Sequence, residues 1–157
     1  MYIWSSEMKM IEKLEALDKH IGLDKEDKIT EDDRSSHDDC LFETDQGDFL
    51  VLTDEEADER TKEYIEETLW SFNIDFLQRF LHSNLQDEAE TILKPLQEKC
   101  EDGNDAIKAL VDWDNQQGDI VDEAITWDGR SHFLSGYDGE EHEVKVNDTY
   151  YYIYRVN

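Results

Sequence analysis

Apolar residues near the start of the chain return at helical intervals. Met10, Leu14, Leu17 and Ile21 share one face of a helix, with Ser5 or Ser6 placed to cap it and Gly22 to end it. The pattern then stops. Between residues 24 and 45 the chain holds ten acids and three bases, and its apolar side chains are confined to Ile29, Cys40, Leu41 and Phe42. Such composition predicts a solvated acidic loop over residues 24–47, partly mobile. Phe49-Leu50-Val51-Leu52 follows as one short buried strand. Thr53-Asp54-Glu55-Glu56 is a capping box, in which Thr53 and Glu56 each satisfy the other's amide. From it a helical stripe of Ile65, Leu69, Phe72, Phe76 and Phe80 runs to about Leu81, or breaks into two helices at Asn73.

A third helix is predicted over Gln86–Cys100, with Ala89, Ile92, Leu93 and Leu96 inward and Pro95 kinking or splitting it. Shorter helices fit Asn104–Val111, capped by Asn104, and Asp119–Trp127, capped by Gly118 or Asp119. The turn signals Gly136-Tyr137-Asp138-Gly139 and Asn147-Asp148 then flank two segments rich in Val, Tyr and Ile. They predict a C-terminal β-hairpin, which with Phe49–Leu52 makes a small three-stranded sheet. The expected fold class is α+β: a mostly helical single domain, residues 1–157, with a small antiparallel sheet that includes a C-terminal β-hairpin.

Composition narrows the class. Seventeen aromatic residues (4 Trp, 7 Tyr, 6 Phe) are too many for a disordered acidic chain, so a folded core is expected. Cys40 and Cys100 form neither a disulfide framework nor a zinc spacing. No apolar run reaches about 18 residues, and the first residues lack a basic segment leading into an apolar one. A cytoplasmic protein without cofactor, metal or membrane contact is the expectation.

Charge is the dominant signal. There are 42 acids against 15 bases, a net −27, and self-repulsion of that size opposes compaction. It repels nucleic acid and attracts basic surfaces. Residues 54–67 are densest, with eight acids and two bases. At ~1.5 Å rise per residue this is about one net charge per 3.5 Å, close to the ~3.4 Å spacing along one nucleic-acid strand. Placing Ile65 inward turns Glu56, Glu59, Glu63, Glu66 and Glu67 to solvent. Glu55/Glu59, Glu59/Glu63 and Glu63/Glu67 are like charges one turn apart, each destabilising by about 0.2–0.5 kcal/mol. Acids in the first helical turn need no function, since they suit the helix dipole. The expected partner-binding set is Glu55, Glu56, Glu59, Glu63, Glu66 and Glu67 with Asp32, Asp33, Asp38 and Asp39.

Candidate chemistry is thin. Asp112–Glu123 resembles a calcium loop, but its Gly118 and Asp119 fall at the wrong positions. Ser131, His132, Asp138 and His142 are residue types used in hydrolysis, yet two Asp-Gly turns account for them and no nucleophile-elbow pattern is present. Neither phosphate-binding glycine motifs nor a basic stripe occurs. No catalytic residue is expected.

Two stretches carry a resemblance. Phe49-Leu50-Val51-Leu52-Thr53-Asp54-Glu55-Glu56-Ala57, continuing through Tyr64–Asn73, and Asp128-Gly129-Arg130-Ser131-His132-Phe133-Leu134-Ser135, continuing through Tyr137-Asp138-Gly139-Glu140 to Tyr151–Asn157, resemble small bacteriophage and prophage proteins without assigned activity. In size and charge the chain is also similar to acidic phage inhibitors that act on restriction or CRISPR nucleases as DNA mimics. The resemblance implies a non-catalytic inhibitor in the host cytoplasm. Its partner would be a basic nucleic-acid-binding host protein, with no direct contact to nucleic acid; a homodimer is compatible with this. The alternative is an accessory interaction protein whose charge serves solubility or salt tolerance only.

Overall fold

A computed structural model of the chain describes residues 2–22 and 29–157, with side chains from Glu7 onward. Asp24, Glu26 and Asp27 of the predicted acidic loop lie outside the described residues. The fold class is α+β, mostly helical, with an antiparallel sheet that includes the C-terminal hairpin. Contacts divide the chain into two compact units, Met1–Arg60 with Arg130–Asn157, and Thr61–Gly129.

The first unit is built on the sheet. Helix α1 (Tyr2–Ile21) ends where Gly22 takes φ +71° and donates its amide to the Asp18 carbonyl at 2.9 Å. The helix begins at Tyr2, so Ser5 and Ser6 fall inside its span and not at its N-terminus. Strands β1 (Leu41–Thr44), β2 (Gly47–Thr53), β3 (His142–Val146) and β4 (Thr149–Arg155) pair in the order β1-β2-β4-β3, all antiparallel. The sheet thus has four strands where three were expected. Part of the predicted acidic loop supplies the extra one, with Leu41 and Phe42 set opposite Leu50 and Phe49. Phe42 is fully buried, and Ile29 and Cys40 are nearly so.

Both faces of the sheet are covered, which is why Phe49-Leu50-Val51-Leu52 is continuously apolar. Phe49, Val51, Tyr151 and Ile153 face Ala16 and Leu17 of α1. Leu50, Leu52 and Tyr154 face Ala57, which belongs to helix α2 (Asp54–Glu67), and Leu134.

The second unit is helical. Helix α2 contributes its last turns to it and stops at Glu67. A 3₁₀ turn at Leu69–Ser71 leads to α3 (Ile74–Gln78), capped by Asn73, whose side chain accepts the Asp75 amide at 2.8 Å. The break at Asn73 therefore holds, and one continuous helix to Leu81 does not form. Ile65, Leu69, Leu77 and Leu81 are buried, whereas Phe72, Phe76 and Phe80 are half-buried and pack ring to ring at 5.2 and 5.4 Å.

Helices α4 (Ala89–Glu98, with Pro95 inside it), α5 (Asn104–Leu110) and α6 (Trp113–Asp128) complete the unit. Asn104 does not cap α5. Its side chain ties two other segments together, accepting the Trp70 amide at 3.0 Å and donating to the Glu66 carbonyl at 2.8 Å. Helix α6 starts six residues before the predicted Asp119. It carries the calcium-like segment from Trp113 through Glu123 as regular helix, so those oxygens do not converge as a metal-binding loop would require.

Candidate partner-binding surface

The predicted acidic residues divide by what holds them. In the first unit the Thr53–Glu56 capping box forms as predicted: the Thr53 amide donates to Glu56 Oε1 at 2.9 Å, and the Glu56 amide donates to Thr53 Oγ1 at 3.2 Å. The same carboxylate meets Lys13 Nζ at 2.9 Å. Lys13 is only 4% exposed and also donates to Cys40 Sγ at 3.2 Å. Burial pushes the Glu56 carboxyl up, but the Thr53 amide and the Lys13 ammonium outweigh it and hold the group below the usual range. Glu56 is thus half-buried and internally paired, not turned freely to solvent.

Asp38 is similarly engaged. The Arg60 guanidinium grips it in a fork at 2.7 and 2.5 Å and holds its carboxyl below the usual range. Asp33 is half-buried and accepts the Thr30 amide at 2.8 Å. Asp32, Asp39, Glu55 and Glu59 are exposed and make no ion pair among the described residues.

A further cationic centre in this unit came from no sequence motif. Helix α7 (Arg130–Leu134) opens on Arg130, whose guanidinium reaches Asp54 at 2.7 Å, Asp58 at 2.9 Å and Glu141 at 3.0 Å. It also stacks over the Tyr152 ring at 4.7 Å. Burial disfavours its charge, yet the surrounding acids raise its pKa further. Tyr154, fully buried, donates its hydroxyl to the same Glu141. Asp54 and Asp58, acids of the dense run, therefore help hold α7 in place.

In the second unit Glu63, Glu66 and Glu67 come together. With Asn104, Asp105 and Lys108 they line one open cleft. Glu66 pairs with Lys108 at 2.7 Å and holds that ammonium above its usual pKa. Glu63 and Glu67 are exposed, and neither forms an ion pair among the described residues. Four carboxylates against one ammonium give the cleft a formal excess of three negative charges. Asp105 was not among the predicted residues. Its place after Asn104 at the start of α5 suits the helix dipole, and only the packing of α5 brings it to the cleft.

The tryptophans divide too. Trp70 is half-buried, and its indole N–H has no acceptor among the described residues. Trp127 is exposed, lying beside Arg79 at 5.2 Å and donating to Glu123 at 2.7 Å. Of the residues considered for hydrolysis, Asp138 and His142 approach each other together with Glu140. The His132 ring instead packs edge-on against Phe133 at 4.9 Å.

No helix among the described residues is long and apolar enough to cross a membrane. Comparison of the chain with protein families, with curated proteins and with solved structures yields no match.

Proposed function

We propose that this chain is a non-catalytic, acidic binding protein that occupies the basic nucleic-acid-binding surface of another protein. The observation that supports this is the cleft where Glu63, Glu66, Glu67 and Asp105 gather around the single cation Lys108. Like charges are brought together there at a cost to the fold, which a basic partner would offset. Glu55, Glu59, Asp32 and Asp39 offer further unpaired carboxylates. Glu56, Asp38 and Asp33 are left to structural work. Given the resemblance to phage proteins, the favoured partner is a host defence nuclease of the restriction or CRISPR type, met in the host cytoplasm.

Electrostatic steering makes such association fast and salt-sensitive. Raising salt from about 50 to about 500 mM should weaken binding strongly, because the Debye length shrinks to a few ångströms. Glu63→Lys with Glu67→Lys should abolish inhibition of the nuclease, and duplex DNA should compete with the chain for it. Affinity that survives both the salt and the double charge reversal would remove the proposal. The fully engaged acids favour a second reading for part of the charge: Asp54, Asp58 and Glu141 around Arg130 stabilise the fold and need no partner.

A further inference from the structure

The turn between α7 and β3 presents an unusual donor set. Ser135 anchors it: its hydroxyl meets Asp138 Oδ1 at 2.8 Å and the Arg155 carbonyl at 2.7 Å, and accepts the Gly139 amide at 3.2 Å. Asp138 Oδ1 also accepts the Glu140 amide at 3.0 Å, and Gly139 turns the chain at φ +68°. The turn delivers two carboxylates beside the first residue of β3, His142. One ligand atom from each of Asp138, Glu140 and His142 lies within 4.8 Å of the others, and Glu140 Oε2 is 3.7 Å from His142 Nε2.

A second imidazole stands against this group. His20, in the last turn of α1, places its ring 4.4 Å from the His142 ring at a tilt of 37°. Asp138 lies near enough to act electrostatically on both rings. A surface ion pair needs one imidazole for one carboxylate. Here two imidazoles face each other beside two carboxylates, brought from elements far apart in the chain.

The geometry points to a divalent transition-metal site of the zinc class formed by Asp138, Glu140 and His142, with the His20 ring beside it. Zinc takes nitrogen and oxygen donors tetrahedrally at about 2.0–2.2 Å, which spaces ligand atoms roughly 3.3–3.6 Å apart. Three protein ligands leave one position of a tetrahedral shell open, and the ion fastens the α7–β3 turn to the first residue of β3. Soft thiolates are absent from the set, which suits zinc or cobalt over copper(I). The site belongs to the first unit and the acidic cleft to the second, and the site does not depend on the binding proposal.

The test uses the full chain with Zn²⁺ titrated against a chromophoric chelator, and with Co²⁺ as a spectroscopic probe. One equivalent should bind, with the visible bands of tetrahedral Co²⁺, and Zn²⁺ should raise the thermal midpoint. His142→Ala and Asp138→Asn should each weaken that binding by about tenfold or more and abolish the thermal shift. Circular dichroism checks that each variant is folded, and His142→Gln replaces any that is not. Glu143→Gln, an exposed acid on the same strand, should change nothing. Weak binding of several equivalents that ignores His142, or a Co²⁺ spectrum that stays octahedral, would overturn the assignment.

Discussion

Glu56 offers a quantitative test of how the acids are partitioned. Replacing it with Ala removes two things at once. The Thr53 amide loses its carboxylate partner, a loss of about 1 kcal/mol. Lys13, 4% exposed, loses its counter-ion. Breaking a fully buried pair costs about 3–5 kcal/mol. The Glu56 side chain retains 31% exposure, and solvent screening reduces the expected loss to about 2 kcal/mol. The sum is about 3 kcal/mol for Glu56→Ala. Glu56→Gln keeps an oxygen for the Thr53 amide and loses only the charge, so about 2 kcal/mol is expected. In a Lys13→Met background the same Glu56→Gln change should cost less than about 0.5 kcal/mol, because no buried ammonium remains to be stranded. Urea unfolding followed by tryptophan fluorescence and by circular dichroism measures all four corners of the cycle. Glu55→Gln, one residue away and exposed, is the control and should be nearly silent. The reasoning fails if Glu56→Gln is as mild as that control, or if its cost is unchanged when Lys13 is gone.

Three more expectations follow from the same structure. Glu56 and Asp38 titrate below their ordinary values in the folded state, so over the acid range the unfolded chain binds more protons; their contribution is complete above the usual carboxylate range and is lost as pH falls through and below it. Acid unfolding curves should therefore be shallower for Glu56→Gln, and a parallel displacement without change of slope would contradict the pairing. Gly103→Ala should destabilise the second unit by more than about 2 kcal/mol, since the added Cβ would lie 2.0 Å from the Leu96 carbonyl oxygen, a backbone atom that cannot swing aside; a silent thermal melt would refute this. Glu67→Lys should stabilise the free chain by about 1 kcal/mol at low salt, relieving repulsion with Glu63 and placing a cation at the C-terminus of α2, while weakening partner binding. Thermal melts and affinity measured on one preparation would expose any failure of these opposite signs.

What the sequence alone determined is what depends on neighbours a few residues away. Gly22 stops α1 because a left-handed residue is needed there. The Thr53–Glu56 box starts α2, Asn73 restarts the chain as α3, and the Asn147-Asp148 turn closes the C-terminal hairpin. Each is a local hydrogen-bonding requirement, and each could be read from residue type and spacing. Strand β1 was hidden because its acids resembled a solvated loop. The two-residue turn Asp45-Gln46 ahead of Gly47, between Leu41-Phe42 and Phe49-Leu50, was the available signal.

Tertiary structure decided which of the acids are free. Glu56 meets Lys13 across 43 residues, Glu66 meets Lys108 across 42, and Asp38 meets Arg60 across 22. A helical wheel places Glu56 and Glu59 outward alike, yet only the packing of α1 sets a buried ammonium opposite one of them. The two imidazoles are a similar case, brought together because α1 lies across the sheet near β3. Local spacing cannot encode such encounters. They follow from burying the apolar faces first, after which long charged side chains pair with whatever the closed chain has set beside them.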